Sequence, residues 1–283
     1  MKEKIQEAYE LLEQADYILI GLGEEFALNR YINEESIYMP LKKYGIHNKE
    51  DLRQMISEDH LEEFEYLLTK ISQYNYYENN NIYDKLYEIV KNKNYFIVTT
   101  NTDSYIYKSK FSKDQIVSPC GTELLLQCAT PCERLVWSSD DYLKEINVKV
   151  DEMIQALQKG EVVQVDLKPR CPKCGNEAEF SIRDEVTEYV EEGYIDQWKK
   201  YMNWLMGTLN KKIVMLELGE SFLTPTVIRW PFEKNTYINH KARLIRINEK
   251  FPQISQEIKE KSISVSMNSV EFIEKLYLYK EQH

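Results

Sequence analysis

Four of the five cysteines in the chain form two close pairs that could bind a metal. The pairs are Cys128-x3-Cys132 and Cys171-Pro-Lys-Cys174, and 38 residues separate them. Zinc prefers four thiolates in a tetrahedron, and each short spacing lets one turn present two sulfurs to the same ion. Four unrelated buried cysteines, or a redox pair, are the alternatives, but two matched pairs favour a metal. The spacing predicts a structural zinc site with no open position for catalysis.

Polar residues that could contact a ligand follow two predicted buried strands. The apolar run Tyr17–Gly21 leads into Gly23, and the run Tyr95–Thr99 leads into Thr-Asn-Thr-Asp103. Ligands of open α/β sheets bind outside the carboxyl ends of the strands, which is where these residues are expected to lie. Asn and Asp also favour ordinary turns, so a simple strand-end turn is the alternative interpretation.

The apolar pattern in the rest of the sequence predicts the strands and helices that must position these cysteines and polar residues. Three further buried strands are predicted at 212–218, 242–247 and 263–265, and helical periodicity separates the strands. Strands alternating with helices indicate an α/β fold, a Rossmann-like open parallel sheet with helices on both faces. The first and last helices are expected to bury Ile5, Ala8, Leu11 and Leu12, and Val270, Ile273, Leu276 and Tyr277, with Asn268 capping the last helix.

The segment that contains the paired cysteines interrupts this alternation of strands and helices. We expect residues 1–122 and 201–283 to form the Rossmann-like domain, which includes a helical segment at 25–92. Residues 123–200 would form a small inserted zinc-binding module, with a strand candidate at Val162–Val165.

The amino-acid composition limits which kinds of binding partner and which cellular compartment are expected for this protein. The formal net charge is −11, from 47 acidic and 36 basic side chains, and no basic stripe offsets it. Such a surface repels phosphate backbones, so nucleic acid is not expected as a partner. Apolar runs such as Tyr17–Leu22 are too short to span a bilayer, and the N-terminus lacks a signal-peptide core. The sequence therefore predicts a soluble, cytoplasmic protein with no membrane partner.

The ordered series of motifs resembles the sirtuins, which are NAD-dependent protein deacylases and ADP-ribosyltransferases. The resemblance extends over essentially the whole chain and is carried by Ile18–Gly23, Thr99–Asp103, Cys120-Gly121, the four paired cysteines, Leu216–Phe222 and Arg246–Asn248. Each motif alone is weak, whereas their order together with the zinc spacing is specific.

Several segments look like one branch, the macrodomain-linked microbial (class M) sirtuins. These segments are Leu126–Cys132, Pro169–Gly175, Leu218–Thr226 and Trp230–Phe232. That branch lacks the active-site histidine of ordinary sirtuins and is associated with ADP-ribosylation of a lipoylated carrier protein. The resemblance thus implies a protein substrate, with a lipoylated carrier as one candidate.

The resemblance also implies NAD as cofactor and a role for each matching residue. Asn101 and Asp103 would orient the ribose and the attacking water, and Gly21 and Gly23 would let the backbone approach the pyrophosphate. The other cofactor-binding residues that it implies are Thr100, Gly219 and Ser221, and Asn248 at the adenosine ribose.

Two features depart from the pattern of ordinary sirtuins, and a further residue resembles the class M branch. Gly23 is followed by Glu24 and Glu25, whose charges would repel a pyrophosphate by about 1 kcal/mol each at an effective dielectric constant near 20. Cys120 stands where ordinary sirtuins carry the histidine base, and it acts either as a thiolate base or as a small apolar filler. Arg183 resembles an arginine that reaches the class M active site, with a solvent-facing arginine as the alternative.

Three functional hypotheses follow. The leading one is an NAD-dependent protein ADP-ribosyltransferase. A deacylase is disfavoured because deacylation needs a base that Cys120 supplies poorly. The third is a catalytically inactive sirtuin fold that binds NAD or ADP-ribose.

Overall fold

A computed structural model describes residues 2–75, 82–161 and 167–283. The chain divides into two compact units. The sheet unit comprises Met1–Ala27, Asn80–Gly121 and Tyr194–His283, and the cysteine unit comprises Leu28–Asn79 and Thr122–Gly193. The strand candidate at Val162–Val165 lies outside the described residues.

The secondary structure follows the chain order used below. The strands are β1 Tyr17–Leu22, β2 Asn94–Thr99, β3 Ile116–Val117, β4 Gly121–Cys128, β5 Val136–Ser138, β6 Ala178–Ile182, β7 Ile213–Leu218, β8 Arg243–Ile247 and β9 Ser262–Val265. The α-helices are α1 Lys2–Gln14, α2 Glu34–Tyr38, α3 Lys49–Arg53, α4 Glu58–Asn75, α5 Ile82–Val90, α6 Tyr105–Lys108, α7 Asp140–Gln158, α8 Ile195–Gly207, α9 Arg229–Ile238 and α10 Ser269–Glu281. Short 3₁₀ helices include Glu24–Phe26, Met39–Tyr44 and Gln256–Lys261.

The sheet unit contains a six-stranded sheet in the order β3-β2-β1-β7-β8-β9. Every neighbouring pair of strands is parallel, which confirms the predicted α/β class. The strand order runs outward in opposite directions from β1 and from β7. The reversal point, at the carboxyl ends of β1 and β7, is therefore where an open α/β sheet binds its ligand.

Helices cover both faces of this sheet. Leu19 of β1 and Met215 of β7 belong to an apolar cluster that includes Tyr201 of α8 and Phe232 of α9. Ile18 points to the other face by strand alternation and is also fully buried. Helices α1, α5 and α10 pack against one another in the same unit.

The first and last helices differ in detail from the sequence prediction. Asn268 caps α10 as predicted, because its side chain accepts from the backbone N–H groups of Val270 and Glu271. The buried stripe of α10 is Ser269, Phe272, Ile273 and Leu276. This i, i+3, i+4, i+7 series leaves Val270 and Tyr277 only half-buried, contrary to the prediction, and Leu11 of α1 is likewise only half-buried.

The cysteine unit combines helices with a small sheet in the order β5-β4-β6. We expected the whole of 25–92 to belong to the Rossmann-like domain, whereas the structure assigns residues 28–79 to the cysteine unit. The reason is an apolar cluster in which Leu61 and Phe64 of α4 lie with Ile146 and Ile154 of α7. At its other boundary the unit ends at Gly193 rather than 200, because α8 packs within the sheet unit.

Candidate functional site

The four paired cysteines converge in the cysteine unit. The sulfurs of Cys128 and Cys174 are 3.7 Å apart, those of Cys132 and Cys171 are 3.8 Å apart, and all four lie within 4.8 Å of one another. A tetrahedral zinc with Zn–S bonds of about 2.3 Å requires sulfur separations of about 3.8 Å. Disulfides would bring the sulfurs to about 2.05 Å. The predicted metal cluster is confirmed, and its geometry suits a structural zinc ion.

Backbone hydrogen bonds shape the turns that carry these cysteines. The carbonyl of Cys171 accepts from Gly175 at 2.9 Å, and the N–H of Cys171 donates to Asn176 at 2.8 Å. Ala129 donates to Glu177 at 3.0 Å, which joins the two turns directly. The turns are therefore set by the backbone, and the metal would lock them together.

In the sheet unit, the carboxyl ends of β1 and β2 are tied together by threonines. The hydroxyl of Thr99 donates to the carbonyl of Leu22 at 3.1 Å and accepts from the N–H of Asn101 at 3.0 Å. The N–H of Thr100 donates to the same carbonyl at 3.1 Å. This network fixes the backbone on which Asn101 and Asp103 stand.

Asn101 and Asp103 are both buried at this edge of the sheet. Asp103 accepts from the N–H of Tyr105 at 3.3 Å, which stabilises the turn into α6. Asn101 is only 7% exposed, yet its Nδ2 has no hydrogen-bond partner among the described residues. A buried amide donor without an acceptor costs about 1–3 kcal/mol. Such a donor is typical of a position at which a ligand supplies the acceptor.

Gly23 marks the closest approach of the loops after β1 and β7. A Cβ at Gly23 would lie 2.3 Å from the Cα of Glu220 and 2.6 Å from the carbonyl oxygen of Gly219, so only glycine fits. Gly21 lies inside β1, where a Cβ would lie 2.5 Å from Ile228 and 2.8 Å from Phe232. The structure therefore gives both glycines a packing reason, and their contact with a pyrophosphate stays a prediction.

Glu220 places a buried carboxyl group at the same edge and was not singled out from the sequence. Its side chain accepts from the hydroxyl of Thr100 at 2.8 Å, and the residue is 1% exposed. Burial raises the pKa of Glu220 to about 8, with the charges of Glu217 and Glu24 adding to the effect and the Thr100 hydrogen bond opposing it. The signal for this residue was an acidic side chain two positions after a strand that is buried along its whole length.

Ser221 and Asn248 bind other parts of the protein. The hydroxyl of Ser221 donates to Glu24 at 2.5 Å. The side-chain oxygen of Asn248 accepts from Lys250 at 3.0 Å and from Phe251 at 2.7 Å, while its Nδ2 donates to the carbonyl of Glu220 at 2.8 Å. Asn248 thus shapes the loop after β8, and its contact with a ribose stays a prediction.

A buried ion network lies beneath these loops. Arg246 forms a bidentate pair with Glu217 at 2.7 and 2.8 Å, and both side chains are fully buried. Arg229 contacts Glu217 at 3.4 Å and donates to the carbonyls of Phe251 and Gln253. Because the arginines hold backbone carbonyls, the network fixes the loop after β8 at its base.

Cys120 and Arg183 lie in different units. Cys120 is buried and follows β3, so it lies at the same edge of the sheet as Asn101. Arg183 follows β6 in the cysteine unit, where it pairs with Glu191 at 3.2 Å and stacks on the ring of Tyr189 at 4.4 Å.

Comparison with known proteins identifies the fold. A solved Sir2 homologue in complex with ADP-ribose aligns with 98% of this chain and 96% of its own, with a TM-score of 0.57 and 12% sequence identity. The chain has the sirtuin fold. The Asn101 motif and the four-cysteine cluster thus occur together in a sirtuin-fold protein, as their order in the sequence predicted.

Two curated proteins share this sequence more closely than the solved structure does. A protein ADP-ribosyltransferase from Staphylococcus aureus is 26% identical over 185 residues, which cover 65% of this chain and 56% of that protein. A probable bifunctional ADP-ribose hydrolase/ADP-ribosyltransferase from Fusarium oxysporum f. sp. cubense is 27% identical over 198 residues, which cover 68% of this chain and 32% of that protein. The chain therefore spans about half or less of the length of these relatives. It matches no family model.

Throughout 2–75, 82–161 and 167–283, no helix has both the length and the apolar character needed to cross a bilayer.

The metal cluster predicts tightly bound zinc. Purified, never-chelated protein should contain about one zinc per chain, and Cys171→Ser should lower the melting temperature because it removes a ligand that joins the two turns. Cys120→Ser is the matched control, since Cys120 lies outside the cluster. Elemental analysis and thermal unfolding measure both effects. A wild-type protein with far less than one zinc per chain would contradict the assignment.

The raised pKa of Glu220 predicts a pH-dependent stability. Its folded-state pKa of about 8 lies above the ordinary value of 4.5, so its contribution to stability is full below pH 4.5 and is lost as the pH rises through 8. Glu220→Gln stays neutral and should lack this loss, on the order of 4 kcal/mol at most. Urea unfolding of both proteins between pH 5 and 9 measures the difference. The exposed Glu249→Gln is the control, and a difference that does not change with pH would rule out the buried carboxyl group as its cause.

Proposed function

We propose that this chain is an NAD-dependent ADP-ribosyltransferase that modifies a protein side chain. The observation that carries the proposal is the buried Nδ2 of Asn101, a donor without a partner among the described residues, at the carboxyl edge of a sirtuin-fold sheet. The names of the staphylococcal and fungal relatives support the same activity.

The residues at this edge fit a nicotinamide dinucleotide in two respects. The unsatisfied amide of Asn101 would donate to a ribose oxygen, and the buried Asp103 would hold the turn that aims the amide. Bound NAD would supply an ADP-ribosyl group that becomes electrophilic when nicotinamide leaves. The protein's task is then to orient the ribose and to exclude water from it.

Residue 120 favours transfer over deacylation. Sirtuin deacylation needs a base that deprotonates a ribose hydroxyl near neutral pH, a task suited to histidine. This chain carries a buried cysteine at that position. Transfer of ADP-ribose to a strong nucleophile does not need the base, so the transferase hypothesis accommodates Cys120 and the deacylase hypothesis does not.

A second candidate is a protein that binds NAD or ADP-ribose without turning it over. Glu24 and Glu220 favour this candidate over the enzyme, because carboxyl groups at the reversal point of the sheet, where a diphosphate would sit, disfavour the usual position of the cofactor. Burial raises the pKa of Glu220 to about 8, so that Glu220 is mostly protonated at pH 7 and repels a diphosphate little. Binding with no transfer distinguishes this candidate from the enzyme.

For the acceptor we propose a lipoylated carrier protein. Its support is the resemblance of Leu126–Cys132 and Leu218–Thr226 to the class M sirtuins. A dihydrolipoyl thiol is a strong nucleophile and would not need a base at position 120. Purified lipoylated carrier, with its unlipoylated form as control, is therefore the first acceptor to test.

Asn101→Ala is expected to reduce transfer of labelled ADP-ribose by about 100-fold or more, the usual cost of removing one aimed donor in an active site. Its melting temperature should hardly change, because the amide Nδ2 makes no hydrogen bond in the described structure. The matched control is Asn94→Ala, which lies at the amino end of β2, the strand that leads into Asn101. This variant should keep full activity.

Two measurements decide between the candidates. Thermal shift with NAD and ADP-ribose reports binding by mass action, and mass spectrometry of the acceptor reports transfer. A wild-type protein that is stabilised by both ligands but transfers nothing supports the binding candidate. Full-rate transfer by Asn101→Ala would contradict the role proposed for this residue.

A further inference from the structure

The carboxylate of Glu25 is bound by two backbone N–H groups from different loops. One oxygen accepts from the N–H of Glu249, two residues after β8, at 2.7 Å, and the other accepts from the N–H of Ser269 at 2.9 Å. Ser269 is the first residue of the 13-residue helix α10. A helix N-terminus carries partial positive charge and exposed N–H groups, so it favours an anion.

A third donor beside this carboxylate has no acceptor. Ser269 is fully buried, and its hydroxyl has no hydrogen-bond partner within the described part of the chain. The hydroxyl of Ser269 and the side chain of Glu25 both lie beside the backbone of Gly219. A Cβ at Gly219 would be 2.3 Å from the Cβ of Glu25 and 2.9 Å from the Oγ of Ser269.

The carboxylate of Glu25 satisfies two of these three donors. Glu25 offers two oxygens, and each already accepts one backbone N–H. A phosphoryl group offers three strong acceptor oxygens in a pyramidal arrangement. Such a group could accept from Glu249 N, Ser269 N and Ser269 Oγ together.

We propose that the N-terminus of α10 is a phosphoryl-binding site. In this structure the side chain of Glu25 occupies that site. The ligand class is a phosphoryl oxyanion, carried either by free phosphate or by a nucleotide. Only the nucleotide form of this proposal rests on the proposed function. Binding requires Glu25 to leave, so the residue lowers the affinity of the wild-type chain for the phosphoryl group.

The local backbone is consistent with such an exchange. Glu25 belongs to the three-residue 3₁₀ helix Glu24–Phe26, and its own N–H donates to Gly219 at 3.3 Å. Gly219 has a φ of +70° and no side chain, and the side chain of Glu25 and the hydroxyl of Ser269 lie in the space beside its Cα. The donors at Glu249 and Ser269 belong to other elements and would stay in place when the Glu25 side chain moves.

The first experiment is chemical rescue of Glu25→Ala by inorganic phosphate. In chloride buffer this variant should melt at a lower temperature than wild type, because two N–H groups lose their acceptor. Increasing phosphate at constant ionic strength should raise its melting temperature saturably, as a ligand of the native state does. Wild type and the exposed charge control Glu260→Ala, whose residue takes no part in the proposed site, should respond much less. Adding Ser269→Ala to Glu25→Ala should reduce the phosphate response, since it removes the third donor.

Equal phosphate responses in wild type, Glu25→Ala and Glu260→Ala would overturn the proposal, because the effect would then be nonspecific. If Glu25→Ala does not fold, Glu25→Gln serves instead. It preserves the shape of the side chain and removes its charge, and it should shift the phosphate response in the same direction. No shift in that variant counts equally against the proposal.

The second experiment is calorimetric titration of wild type and Glu25→Ala with ADP-ribose, which separates the two sources of the phosphoryl group. An affinity at least tenfold higher in the variant assigns the site to a nucleotide. Rescue by phosphate with unchanged ADP-ribose affinity supports the free oxyanion and overturns the nucleotide form. If neither protein binds ADP-ribose, the proposed function fails, and the phosphate result alone decides whether the site at α10 exists.

Discussion

The direct contact between the backbone at Gly23 and the backbone at Gly219 and Glu220 is the constraint on which the sheet edge depends. The N–H of Gly23 donates to Leu218 at 2.8 Å, and the N–H of Gly219 donates to Ile247 at 2.8 Å. The loops after β1, β7 and β8 are thereby joined at the point where the strand order reverses. A side chain at Gly23 would force these loops apart, since its Cβ would overlap backbone atoms that cannot move independently.

This contact brings acidic side chains to an edge that an open α/β sheet ordinarily reserves for a ligand. Each carboxyl group there is accommodated differently. Glu220 is neutralised by burial, Glu24 accepts from Ser221, and Glu25 accepts from two backbone N–H groups. The protein therefore satisfies internally donors that a phosphorylated ligand would use. The amide of Asn101 and the hydroxyl of Ser269 are exceptions, because neither has an internal acceptor among the described residues.

Structural features that depend on a local sequence pattern could be predicted from the sequence. Apolar runs predicted five strands of the large sheet, which are β1, β2, β7, β8 and β9. The paired spacing of the cysteines predicted the cysteine cluster. Contacts distant in sequence were not predictable in this way. The association of residues 28–79 with the cysteine unit depends on α4 meeting α7, and the hydrogen bonds of Asn248 depend on how its loop closes. Glu220 was overlooked because its effect arises from burial beside Thr100, 120 positions away in the chain.

The central claim is that the carboxyl edge of β1, β2 and β7 is the nucleotide site, and hydrogen exchange tests it most directly. Exchange should be measured on wild-type protein with and without saturating ADP-ribose. The account predicts that ADP-ribose slows exchange of the backbone amides at 99–103 and 219–224, on either side of the reversal point. Unchanged exchange in both segments, or slowing confined to the cysteine unit, would contradict it.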